Sequence, residues 1–136
     1  MEQQALAMVR TPVLKDSSLT REEKNLFEGK VEFALNSYAV SMEGKEFLDS
    51  LALILKAHPE VRIRITGHTC TIGSKGANFT VSNKRAQSVK AILIRKGVAP
   101  GQLLAVGMDF QRPLNANQTE AQRAKNRRAE FELLEN

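Results

Sequence analysis

The sequence predicts an α+β fold, a two-layer sandwich in which a mixed four-stranded sheet carries helices on one face in the order β-α-β-α-β-α-β. Three observations predict it. Segments with a two-residue apolar period alternate along the chain with segments of three- and four-residue period. Gly, Asn and Pro punctuate the joints between them. The length of 136 residues, at 42% hydrophobic and 26% charged, suits one core and argues against two independent units.

Residues 1–29 read as a flexible lead or linker carrying one short helix, and residues 30–136 as the domain. The first 19 residues mix Gln, Pro, Ser and scattered charge without a period. Thr20 and Glu23 then form a capping-box pattern for a helix through about Glu28, stopped by Gly29. Val31, Phe33 and Leu35 alternate with Lys30, Glu32 and Ala34 as in a half-buried strand, and Asn36 with Ser37 opens a turn. Phe47, Leu48, Leu51, Ala52 and Leu55 fall on one helical stripe within 42–57, and Pro59 prevents continuation.

Val61, Ile63 and Ile65 alternate with Arg62, Arg64 and Thr66 in a second strand that runs into a small polar loop. The next helix is expected from about Asn78, serving as its N-cap, to Lys96, with Val81, Ala86, Val89, Ile92 and Leu93 inward. Gly97 and Val98 fit a left-handed cap with its apolar contact. Leu103–Val106 reads as a buried strand ended by Gly107. Thr119 and Gln122 suggest another capping box, opening a polar helix near Glu120. Ala129, Phe131 and Leu133 point inward from a last strand whose Glu130 and Glu132 point outward.

Composition excludes several function classes. Lys and Arg number 20 against 15 Asp and Glu, a net charge of +5 that admits an anionic partner without choosing one. One Cys rules out a disulfide framework, and with two His it builds no closed zinc site unless carboxylates join. No apolar run approaches the roughly 18 residues of a membrane span, so the chain is not expected to cross a bilayer. Glu2 stands where a signal peptide carries positive charge and no apolar run precedes Arg10, which leaves a cytosolic protein or a trimmed piece of an exported one. Nucleic acid is disfavoured as a partner because aromatic content is 5%, and Phe33, Phe47 and Phe131 are committed to the core. Arg62 and Arg64 share one strand face, as do Glu130 and Glu132, so cross-strand ion pairs explain both sets if the strands are neighbours. Cys70 beside His68 lacks an orienting acid and an oxyanion loop, and no phosphate-cradling loop or metal spacing appears. A noncatalytic protein without cofactor or metal is the reading.

Four ordered blocks carry a resemblance. Gly67-His68-Thr69-Cys70-Thr71-Ile72-Gly73-Ser74, then Asn78, then Val81-Ser82-Asn83-Lys84-Arg85-Ala86 resembles the GHTD-x-x-GS…N-x-x-LS-x-x-RA pattern of the OmpA-like peptidoglycan-binding domain. Phe33-Ala34-Leu35-Asn36-Ser37 resembles that family's first strand and turn, Gly107–Pro113 its Gly-rich loop, and Asn126-Arg127-Arg128-Ala129-Glu130 its NRRVE segment. The resemblance implies a shallow pocket for the peptidoglycan stem peptide. There the Asp of GHTD pairs with the ammonium of diaminopimelate and the Arg of LSxxRA grips its carboxylate. It assigns ligand contact to Arg85 and Asn78, to Asn36 in the turn, to Thr69 and Ser82 within the motif, and to Arg127 or Arg128 at the pocket wall. It gives His68 a structural hydrogen bond at the strand end.

Cys70 occupies the aspartate position, where a mostly neutral thiol replaces a carboxylate. Losing one partner of a buried charge pair costs roughly 2 to 5 kcal/mol, so diaminopimelate binding is expected to be weakened or lost. Asp109 is a weak candidate for a substitute charge. The implied function is tethering of the outer membrane or an envelope complex to peptidoglycan in a Gram-negative periplasm, through an anchoring segment absent from this chain. A degenerate domain serving an envelope protein partner is the alternative.

Overall fold

A computed structural model describes residues 19–35, 37–69, 75–107 and 119–134. Helix α1 (Arg21–Leu26) precedes strand β1 (Lys30–Glu32), helix α2 (Met42–Ala57) and strand β2 (Arg62–Gly67). Helix α3 (Lys75–Arg95) follows, then a 3-10 turn at Pro100–Gln102, strand β3 (Leu103–Gly107), helix α4 (Glu120–Asn126) and strand β4 (Arg128–Leu134). The expected α+β order and mixed sheet are present. The strands lie in the order β1-β4-β2-β3, with β3 parallel to β2 and β4 antiparallel to both its neighbours. A parallel pair needs a crossover, and α3 provides it.

Strand alternation builds the core. Val31, Ile63, Ile65, Ala129 and Phe131 meet Leu48, Leu51 and Leu55 of α2 and Ala86, Val89 and Leu93 of α3 in one buried cluster. On the opposite sheet face, Arg64 Nε and Nη2 donate to Glu132 Oε1 at 3.1 and 2.8 Å, the cross-strand pair the sequence suggested. Arg62 lies opposite Leu134 instead. Both capping boxes form, at Thr20 with Glu23 and at Thr119 with Gln122. Gly97 takes φ 104°, and the Val98 N–H donates to the Leu93 carbonyl at 3.1 Å, closing α3 as expected.

Two paired glycines place α3 at the end of the sheet. Gly67 and Gly107 are register partners in β2 and β3. A Cβ on Gly67 would come within 1.9 Å of the Ser82 carbonyl oxygen, and one on Gly107 within 2.7 Å of the Asn83 nitrogen. The helix backbone therefore rests directly on the strand ends.

The structure departs from the sequence reading at four places. Helix α3 starts at Lys75, so Asn78 lies inside it and is not its N-cap; one turn that includes Gly76 is tolerated despite its poor propensity. Strand β1 ends at Glu32 and Leu35 is 51% exposed, because Ser37 N–H donates to the Ala34 carbonyl and turns the chain. Strand β3 is an edge rather than a buried strand, leaving Leu104 44% exposed. Leu19 and Phe27 belong to the core cluster, so packing extends ahead of Lys30. No described helix is long and apolar enough to cross a membrane.

Candidate ligand-binding site

Helix α3 changes character along its inward face. Its second half presents Ala86, Val89 and Leu93, as the apolar period requires. Its first half presents Asn78, Ser82 and Arg85, spaced i, i+4 and i+7 on one stripe. These three are 5%, 0% and 1% exposed. Ser82 Oγ donates to the Phe79 carbonyl at 2.9 Å within the helix. Asn78 Nδ2 is buried without a hydrogen-bond partner, which costs roughly 1 to 3 kcal/mol and calls for an explanation.

Arg85 draws three chain segments together. Its Nε donates to the Ser37 carbonyl at 2.8 Å, Nη1 to His68 at 2.9 Å and Nη2 to Ala34 at 3.0 Å. The guanidinium carbon lies 5.3 Å from the Phe33 ring centroid, a cation–π distance. These carbonyls fix the direction of the planar fork. Thr69, 5% exposed, follows His68 at the end of β2 and sits next to this clasp in sequence.

Arg127 holds the same β1–α2 turn from the other side. Its Nε donates to the Phe33 carbonyl at 2.8 Å and its Nη2 to Glu120 Oε2 at 2.6 Å, while Phe33 N–H donates back to the Arg127 carbonyl at 2.8 Å. The hydrogen bond from Arg127 holds the Glu120 carboxyl below its usual range. Arg128 projects to the opposite parity of β4. Its Nε donates to Glu130 Oε2 at 2.7 Å and its Nη1 to the Asn126 carbonyl at 3.3 Å.

His68 Nε2 stands 3.2 Å from Glu130 Oε1, and its N–H donates to the Arg128 carbonyl at 2.7 Å. The close approach of the His68 imidazole, followed by the hydrogen bond from Arg128, outweighs desolvation and pulls the Glu130 carboxyl down to about 2. The strand end is held through the His68 main chain, while the buried Nε2 makes no hydrogen bond of its own among the described residues. Arg128 is paired with a strand glutamate.

Of the candidate residues, the structure brings Asn78, Ser82, Arg85, Thr69 and Arg127 around the ends of β1 and β2, and joins Arg128 to His68 through Glu130. Asn36, Cys70 and Asp109 lie outside the described residues. Sequence reasoning missed the carbonyls of Phe33, Ala34, Ser37 and His68, which side-chain identity cannot signal. It also missed Glu120, whose partner lies seven residues on. Among the described residues, no three His, Cys, Asp or Glu side chains stand together as a metal site.

The sequence profile of the OmpA family matches residues 32–127. The chain belongs to the OmpA family. Outer membrane porin F of Pseudomonas fluorescens is 37% identical over 100 residues, covering 74% of this chain and 31% of that protein. The peptidoglycan-binding protein ArfA of Mycobacterium bovis is 36% identical over 103 residues, covering 76% of this chain and 32% of ArfA. The chain thus spans about a third of the length of each of these relatives. The crystal structure of the peptidoglycan-associated lipoprotein from Burkholderia pseudomallei superposes with a TM-score of 0.75 at 33% identity, covering 77% of this chain and 89% of that one. This OmpA-family domain therefore shares its sandwich with solved envelope proteins, and its Asn78–Arg85 stripe lies within the matched span.

Proposed function

We propose that this domain is a noncatalytic module of the cell envelope that holds the diaminopimelate end of a peptidoglycan stem peptide, and that Cys70 makes this hold weak. The observation that carries the reading is the polar stripe on α3. A buried cation is fixed by three carbonyls two turns from a buried amide whose Nδ2 has no partner. An apolar stripe would have completed the core there at lower cost.

In this reading Arg85 presents its pre-oriented guanidinium to the ligand carboxylate, and Asn78 donates Nδ2 to a ligand carbonyl or carboxylate. The family resemblance adds Asn36 and Thr69 to the residues that would contact the ligand. Arg127 keeps the Phe33–Ser37 turn in place beside Arg85, and Arg128 acts further out through Glu130 and His68. Equilibrium binding of this kind breaks no bond and needs no cofactor. By its sequence position Cys70 replaces the aspartate that would meet the ammonium of diaminopimelate in the family.

Co-sedimentation with purified sacculi of two chemistries tests this. Diaminopimelate carries a carboxylate at its side-chain end that lysine lacks, so diaminopimelate-type sacculi are expected to retain the domain and lysine-type sacculi to release it. Equal retention by both would show that Arg85 does not read the carboxylate. Retention by neither would favour a domain turned to a protein partner.

A further inference from the structure

We infer that the free edge of β1 is a self-pairing surface, through which two copies of this chain join their sheets antiparallel about Val31. The inference is independent of the proposed ligand. It rests on the direction of the backbone groups, the pattern of charge and the space beside the strand.

Phe33 N–H donates to the Arg127 carbonyl on β4. Backbone groups alternate sides along a strand, so Val31 and Phe33 turn theirs toward β4 while Lys30 and Glu32 turn theirs away. Strand β1 is at the edge of the sheet, and no described strand lies beyond it. Two residues therefore present main-chain N–H and C=O groups on the open side, a template for another strand.

The charges select the occupant. Lys30 and Glu32 are exposed on one sheet face, with Val31 between them buried on the other. In an antiparallel pair centred on Val31, Lys30 of each copy stands opposite Glu32 of the other. Each such pair is also one whose backbone groups point at one another, so two ion pairs and four main-chain hydrogen bonds form across a two-fold axis. Within the chain Lys30 already lies opposite Glu130 and Glu32 opposite Arg128. A second copy continues this alternation of sign across the sheet. An arbitrary extended peptide has no reason to supply Glu and Lys at that spacing and direction, whereas a second copy always does.

Among the described residues, helix α2 leaves the edge accessible. A groove of about 240 Å³ lies between the strand and the first turns of α2, lined by Lys30, Val31, Glu32, Glu43, Gly44 and Phe47. With only three residues in the strand, association is expected to be weak, with a dissociation constant between about 10 μM and 1 mM.

Sedimentation equilibrium across that concentration range reads the mass directly. The wild-type chain is expected to move from monomer toward dimer. Lys30→Glu alone and Glu32→Lys alone each place like charges opposite one another and are expected to stay monomeric. Mixing these two variants restores opposite charge and is expected to give a heterodimer, and the double swap Lys30→Glu with Glu32→Lys a homodimer. Both side chains are exposed, and circular dichroism confirms that each variant is folded. A wild-type chain that stays monomeric at about 1 mM, single reversals that dimerise as well as wild type, or a mixture that fails to pair would each overturn the inference.

Discussion

Two buried side chains at opposite ends of β2 perform the same structural task with different charge. Gln102 Nε2 faces the carbonyls of Leu55, His58 and Val61 at 2.9, 3.1 and 3.0 Å, gathering the end of α2 and the entry to β2. Arg85 gathers the carbonyls of Ala34, Ser37 and His68 at the exit of β2. A neutral amide suffices at the first pole. The second holds a full positive charge at 1% exposure, where burial is costly. Loop stapling alone does not require that charge, and under the proposed function the exit of β2 is the end that would meet the ligand carboxylate.

Truncating both clasps would sharpen the contrast. Arg85→Ala is expected to lower unfolding free energy by roughly 3 to 5 kcal/mol, because one buried and two part-buried carbonyls lose a charged donor and the buried side chain leaves a cavity. Gln102→Ala should cost less, about 2 to 3 kcal/mol, since its donor is neutral. Urea denaturation of both variants checks the order. A smaller effect at Arg85 than at Gln102 would break the comparison. Because Arg85→Ala weakens the fold itself, Arg85→Lys is the better probe of binding. It keeps the charge but loses the fork, and is expected to reduce peptide affinity, whereas Gln102→Ala should leave it unchanged.

The exit pole also carries its own acid dependence. Glu130 has its carboxyl pulled from 4.5 to about 2 by His68 and Arg128. A lowered folded-state value means the native state holds the proton less tightly than the unfolded chain. Stability from this group is therefore present above about pH 4.5 and is lost as pH falls toward 2. Urea midpoints measured from pH 6 to pH 2.5 are expected to fall less steeply in Glu130→Gln than in wild type; parallel profiles would remove Glu130 from the account. The smallest effect is expected on the outer sheet face. A double-mutant cycle on Arg64 and Glu132 should give a coupling of about 0.2 to 1 kcal/mol, as both side chains are exposed.

The same contrast explains what was legible in the sequence. Among the described residues, periodicity and capping residues located each helix and strand of the sandwich, because those signals are local: Thr20 with Glu23, Thr119 with Gln122, and the stripe from Leu48 to Leu55 all behave as their spacing requires. The central position of β4 was not legible from local signals, since strand order is set by long-range packing. At the exit pole, identity pointed to Arg85 and Asn78 but misjudged how they are held. Asn78 looked like a cap because amides favour helix starts, yet it sits within α3 and buried. The anchors of Arg85 are main-chain carbonyls, available from any residue type. Leu35 kept the strand's alternation in sequence while the turn at Ala34 and Ser37 ended the strand in fact.

The most direct measurement is a calorimetric titration of a diaminopimelate-containing stem peptide into the wild-type chain and into Cys70→Asp. The pair energy of roughly 2 to 5 kcal/mol predicts that the added carboxylate tightens binding by about one to three decades over a weak wild type. Equal affinity in the two proteins, or no binding by either, would contradict it.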